Sequence, residues 1–135
     1  MFSALHHVAL IVSDYARSRH FYVDILGLPV IGEQYREERE SWKLDLQLAG
    51  GQLEIFSFPS PPCRPSYPEA CGLRHLAFAV ENLDQCRQYL HSHGIALEAV
   101  RCDPTNGRRF CFFSDPDGLP LELYERQKPA DSASR

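Results

Sequence analysis

The 135-residue chain lacks a basic excess, a paired-cysteine motif and a long apolar run, and each absence closes off a class of function. Lysine and arginine number 14 against 18 acids, a net charge of −4. A nucleic-acid surface would normally show a basic stripe. The one dense charge cluster, Arg36, Glu37, Glu38, Arg39 and Glu40, mixes signs and reads as a solvated turn. No apolar stretch approaches the roughly 18 residues a membrane helix needs. The start, Met-Phe-Ser-Ala-Leu-His-His, has neither the basic leader nor the apolar stretch of a signal peptide. The expectation is therefore a cytoplasmic protein with no membrane or nucleic-acid partner. The five cysteines, at 63, 71, 86, 102 and 111, are odd in number and show no CxxC spacing. That favours reduced thiols over a disulfide framework or a zinc ribbon.

Hydrophobic residues at 44% and charged residues at 24% belong to an ordinary globular chain, long enough for one domain with a real core. Its most informative property is an internal repeat. Residues 5–15 read LHHVALIVSDY and residues 73–83 read LRHLAFAVENL, so His7 falls on His75, 68 positions later. Each segment has the β-branched and aromatic content of a buried strand. Each is followed by a helix N-cap, Asp14 and Asn82, the second with Gln85 at capping-box spacing. The helices that follow carry Tyr15, Ser18, Tyr22, Ile25 and Leu26 on one side, then Leu83, Cys86 and Leu90, and end at Gly27 and Gly94. Three strands are expected after each helix: 29–34, 41–48 and 51–58, then 95–102, 108–114 and 119–125.

The last strands complete the comparison. GQLEIF at 51–56 aligns with LPLELY at 119–124, which sets Glu54 on Glu122 at the same offset of 68. Between the halves, FPSPPCRPSYPEACG holds five of the ten prolines and reads as a stiff, extended linker. The expected organisation is a single domain over 1–135: module 1 at about 4–58, linker 59–71, module 2 at about 72–126 and a tail 127–135.

Side chains alternate along a strand. His7 shares a face with Leu5, Ala9 and Ile11, and His75 with Leu73, Ala77 and Ala79. The bulkier Val8, Leu10, Val12, Leu76, Phe78 and Val80 take the opposite faces. Glu54 lies in phase with Gln52, Phe56 and Phe58, and Glu122 with Pro120 and Tyr124. A mid-strand glutamate among apolar neighbours is costly to bury ionised unless it is paired or binds a metal. Taken singly, a strand histidine is usually a satisfied core or rim residue and a strand glutamate an edge charge. Taken as four residues related by one repeat operation, His7, Glu54, His75 and Glu122 read as a metal site. Two imidazoles and two carboxylates suit one divalent ion of Zn, Ni, Co, Mn or Fe, without choosing among them. His6, of the wrong parity, and His20, His91 and His93, on helices, are left out.

The first-strand motif HVALIVSDYxRSxxFYxxxLGL, the segment LRHLAFAVENL and the closing FFSDPDGLPLELYE resemble the vicinal oxygen chelate superfamily over about residues 4–126. That superfamily includes glyoxalase I, methylmalonyl-CoA epimerase, extradiol dioxygenases and fosfomycin-resistance proteins. The resemblance implies an α+β fold of two tandem βαβββ modules, forming a cup around a divalent metal, commonly in a homodimer. A His/Glu/His/Glu quartet is the glyoxalase I pattern, which implies a metal-dependent carbon–sulfur lyase or isomerase resembling lactoylglutathione lyase. A small oxygenated substrate, a thiol hemithioacetal among the candidates, would lose a proton beside a carbonyl to give an enediolate. Glu122 is then the first choice for the catalytic base and Glu54 the second. Two positions depart from glyoxalase I: Ile11 and Phe58 stand where bacterial enzymes carry the arginine and asparagine that hold glutathione. The alternatives are another metalloenzyme of the superfamily, an epimerase or extradiol-type dioxygenase, and a resistance-type protein that binds a small molecule without turning it over. Arg108, Arg109 and Lys43 are surface charges or substrate contacts; Arg109 is singled out by its alternation with Cys111 and Phe113.

Overall fold

A computed structural model describes residues 1–127. The chain divides into two compact units, Met1–Pro65 and the part from Ser66 onward. Nearly all of the expected tail, residues 128–135, lies outside the described residues.

The first unit runs β1 (His7–Val12), α1 (Tyr15–Arg19), β2 (Val30–Arg36), β3 (Ser41–Leu48) and β4 (Gly51–Ser57). Its four-stranded sheet has the order β1-β4-β3-β2, with β1 parallel to β4 and the other pairs antiparallel. The second unit repeats this with β5 (Leu76–Val80), α2 (Leu83–Ser92), β6 (Arg101–Cys102), β7 (Arg109–Ser114) and β8 (Pro120–Glu125). Its order is β5-β8-β7-β6, again with the first and last strands parallel. A parallel pair cannot be joined by a tight hairpin, so each helix and the strands after it serve as the crossover.

Strand parity holds as the sequence predicts. Leu10, Val12, Leu44, Leu46, Leu53 and Ile55 are buried on the side that takes Phe21, Tyr22 and Ile25. In the second unit Cys111, Phe113, Leu121 and Leu123 are buried with Leu83 and Leu90 of α2. Each fully buried aliphatic side chain of this kind contributes roughly 1.5–3 kcal/mol. The opposite face of each sheet carries the histidines and glutamates. Ile11 points out on that face and is 60% exposed.

The caps form as expected. Asp14 accepts from the Arg17 amide at 3.1 Å and Asn82 from the Gln85 amide at 3.0 Å. Gly27 and Gly94 end the helices at φ 75° and 78°, a left-handed backbone that favours glycine.

Three expectations are corrected. The first helix is α-helical only to Arg19; His20–Ile25 widens into a π-helical turn, with Leu26 N donating to Phe21 O at 2.9 Å. The strand expected over 95–102 shrinks to Arg101–Cys102. The Glu98 amide still reaches Phe112 O at 2.9 Å, and its carbonyl accepts from the Arg87 guanidinium at 2.8 Å. Arg36 is no solvated turn residue: it closes β2, half-buried, and the exposed turn begins after it at Glu37. Residues 58–75 form no strand, in keeping with their prolines.

Candidate functional site

In the first unit Ala9 is the register partner of Glu54, and in the second Ala77 is the partner of Glu122. Each histidine stands two residues before its alanine, on the same face, so His and Glu meet on a diagonal across a parallel pair. A diagonal of roughly 7–8 Å between backbones is within reach of these side chains. The small alanine directly opposite each carboxylate leaves it room. His7 Nδ1 lies 3.5 Å from Glu54 Oε2, and His75 Nε2 lies 3.3 Å from Glu122 Oε1.

The structure therefore brings the four sequence-predicted residues together as two His–Glu pairs, one per unit. Among the described residues no three His, Cys, Asp or Glu side chains gather at one point. The pair spacings do fit an ion. Two ligand atoms bound at about 2.0–2.2 Å, at tetrahedral or octahedral angles, lie about 3.0–3.5 Å from each other.

The surroundings of the two pairs differ. Directly across β3 from Glu54 is Asp45, and the two carboxylates share Lys43, whose Nζ is 2.6 Å from Asp45 and 3.7 Å from Glu54. Gln52 Nε2 donates to Glu54 at 3.4 Å. Gly32, on β2, leaves space for Asp45: a Cβ there would stand 3.1 Å from its Oδ2. Glu54 is only 8% exposed, so a bare carboxylate would be costly here and the cation beside it is expected. Across β7 from Glu122 the equivalent position is Phe112, whose ring His75 meets edge-on at 5.0 Å. Among the described residues no lysine or arginine pairs with Glu122.

Further along the same faces lie aromatic rings capped by arginines. Arg36 Cζ sits 4.9 Å from the Phe56 ring and 5.9 Å from Phe58. Arg101 Cζ sits 5.1 Å from Phe110 and 5.5 Å from Phe112. The sequence did not single out Arg36, Arg101, Asp45 or Phe112, because their facing depends on cross-strand register. Tyr124, in phase with Glu122, donates from its hydroxyl to Asp103 at 2.6 Å and accepts from Asn106 at 2.8 Å. That bond raises the Tyr124 pKa, and hydrogen bonds from Thr105 and Tyr124 pull Asp103 down to about 2.

Arg109 is a structural residue. It forks between Glu125 and Asp84 of α2, on the helix side of the sheet, and both partners raise its pKa. Arg108 donates to Gln127. Of the excluded histidines, His20 pairs with Asp24 at 2.8 Å and His93 lies against Tyr89, while His6 Nδ1 comes within 2.9 Å of His7 Nδ1.

Comparison with known proteins carries the same pattern outward. The chain is 58% identical to the uncharacterized protein YaeR of Escherichia coli (strain K12), covering 90% of this chain and 95% of that one. It is also 58% identical to the uncharacterized protein YwkD of Bacillus subtilis (strain 168), covering 93% and 99%. A solved glyoxalase family protein from Enterococcus faecalis superposes with a TM-score of 0.86 at 49% identity, covering 92% of this chain and 98% of that one. More distant relatives, at 25–28% identity, are named as 2-epi-5-epi-valiolone epimerase, metallothiol transferase FosB, glutathione transferase FosA and lactoylglutathione lyase. The family model matches residues 4–123, nearly the whole of both units, and with the doubled β-α-β-β-β order it leaves one assignment: the chain belongs to the Glyoxalase/Bleomycin resistance protein/Dioxygenase superfamily.

Proposed function

We propose that His7, Glu54, His75 and Glu122 together hold one divalent metal ion, and that the chain is a lyase or isomerase moving a proton between neighbouring carbons of a small oxygenated substrate. One observation carries this reading: a His–Glu contact recurs on the same diagonal in both units, through Nδ1 of His7 and Nε2 of His75. The donor set suits Zn, Ni, Co, Mn or Fe. When bound, such an ion supplies a Lewis acid that stabilises negative charge on substrate oxygens.

The remaining chemistry belongs to the chain. Glu122 takes the proton from the carbon beside the substrate carbonyl and returns it to the adjacent carbon. Glu54 is the less suitable base, because Lys43 and Gln52 hold its carboxylate in place. Phe112 and the edge-on His75 ring shield Glu122 from water on one side, which strengthens its interaction with a reacting proton. Ile11 and Phe58 remove two polar contacts beside Glu54, which weighs against glutathione as the thiol carrier. A hemithioacetal of another thiol remains within this class, and the activity is then that of a carbon–sulfur lyase. In this reading modules 4–58 and 72–126, joined by linker 59–71, act as one domain, and the protein works as a cytoplasmic homodimer. No helix among the described residues is long and apolar enough to cross a membrane.

The test pairs elemental analysis of the purified protein with turnover of methylglyoxal–thiol adducts over several reconstituted metals. Glu122→Gln is expected to retain metal and fold while lowering kcat by about 10²–10⁴-fold. Full activity in that variant overturns the assignment of the base. Oxygen consumption with iron would move the chain to the dioxygenases, solvent-proton exchange without net change would move it to the epimerases, and tight ligand binding without metal or turnover would make it a binding protein.

A further inference from the structure

The arginines of this chain divide by the face they occupy. On the helix side Arg19 is paired with Glu33 and Arg109 with Glu125 and Asp84. Arg36 lies on the other face, that of His7 and Glu54, and among the described residues it makes no ion pair. Its side chain is half-buried, lies over the Phe56 and Phe58 rings, and gives one hydrogen bond, from Nη2 to the buried Ser41 hydroxyl at 2.8 Å. Its Nε is shut off from solvent and has no acceptor among the described residues. A guanidinium has five N–H donors, and a buried one left unsatisfied is costly. A permanent charge held over two rings and against a serine, with no carboxylate among the described residues, keeps its remaining outward N–H donors for an anion.

We propose that Arg36, seated on Phe56 and Phe58, is an anion-binding subsite that takes a carboxylate or phosphate carried by the substrate. The inference rests on the metal reading only for its link to catalysis. Phe56 lies two residues beyond Glu54 on the same face of β4, a step of about 7 Å. The substrate is thus a compound with two neighbouring oxygens at one end and an anionic group at the other. Phe58 then has a role of its own: a side chain that removes a polar contact also supplies half of the platform that holds the guanidinium. Lys43 does not duplicate the subsite, because Asp45 and Glu54 already neutralise it.

The experiment uses the full chain labelled with ¹⁵N in arginine and backbone, with no metal added, titrated separately with inorganic phosphate and with glutarate. The Arg36 Nε–H signal and the amides of Ser41 and Phe56 shift and saturate with at least one of the two. The tighter of the two names the anion class. Arg36→Gln lowers that affinity at least tenfold, Arg36→Lys keeps the charge but loses the fork and falls between, and Arg39→Gln in the exposed turn leaves it unchanged. Arg36 and amide signals that do not saturate with either anion, or that drift no more than those of Arg39, overturn the proposal. So does an Arg36→Gln chain, folded by its amide spectrum, that binds as the parent does. Because no metal takes part, this failure is distinct from failure of the metal reading, which shows in the elemental analysis.

Discussion

Lys43 occupies the place a metal ion would contest. Its ammonium lies 3.7 Å from Glu54, and two cations cannot both have full use of one carboxylate. Asp45 holds it from the other side at 2.6 Å, so the lysine has somewhere to go when an ion arrives. Lys43→Met removes the competitor and leaves Asp45 as a further negative charge directly across from Glu54. Affinity for Zn²⁺ or Ni²⁺ is expected to rise about tenfold, or ~1.4 kcal/mol, read by competition against a chelating dye. A fall in affinity would show that Lys43 orients Glu54 for the ion and does not compete with it. Among the described residues the pair in the second unit has no such lysine, and this difference between copies is what separates the two glutamates in their proposed roles.

At the scale of elements, each unit ties its helix to its sheet with an arginine–carboxylate contact, Arg19–Glu33 in the first and Arg109–Asp84 in the second. In the first, Tyr15 at the start of α1 donates to Glu33 on β2, and Arg19 donates to the same carboxylate at 2.8 Å. Arg19 first, and Tyr15 second, pull the Glu33 pKa below its usual 4.5, while burial and then Glu33 raise the Tyr15 pKa. A depressed carboxylate stabilises the fold above its ordinary pKa, and that contribution fades as pH falls through the lowered value. The clamp is largely at the surface, so it is worth about 1 kcal/mol or less. Thermal unfolding of Glu33→Gln should consequently lose less Tm than the parent between pH 5 and pH 3, with the two curves parallel above pH 6. In the second unit α2 is also fixed locally by its N-cap, where Asn82 accepts from the Gln85 amide. Asn82→Ala should cost about 1 kcal/mol, a Tm drop of about 3–5 °C by calorimetry.

These elements also show what the sequence could and could not reveal. Caps, helix stops and strand parity are local properties, and Asp14, Asn82, Gly27 and the faces of His7 and Glu54 follow from them directly. Most of the expected 95–102 strand is not formed, and the Arg87 contact with the Glu98 carbonyl there is one no periodicity encodes. The π-turn after Arg19 keeps the same buried residues an α-helix would have kept, so its pattern looks identical. Arg36 was hidden by its neighbours: it begins a run of mixed charges, and only the pairing of β2 with β3 turns it onto the Phe56 ring. For Arg109 the sequence left two roles open, a surface charge or a substrate contact, and its ion pairs favour the first. Its alternation with Cys111 and Phe113 was visible, but that it opposes the face of Phe112 and Glu122 needs the register of β7 on β8.

At the scale of the whole molecule, a duplicated unit poses a question that one copy cannot answer: do two His–Glu pairs make one site or two? Two ligands alone bind a divalent ion weakly, because each added protein donor replaces a water at little further entropic cost. Two separate half-sites would therefore take up to two ions per chain, and His7→Ala would abolish one while leaving the other untouched. A shared site takes one ion per chain, and each of His7→Ala and His75→Ala weakens that same ion at least about 100-fold. The double variant is the sharper measurement. In a shared site its loss is smaller than the sum of the single losses, since the first removal already leaves the ion poorly held; independent half-sites give strictly separate losses. Metal content and affinity of the three variants, measured by competition titration on folded protein, decide it. An ion that ignores the loss of His7 would mean that repetition preserved the strands and their contacts but not a common centre.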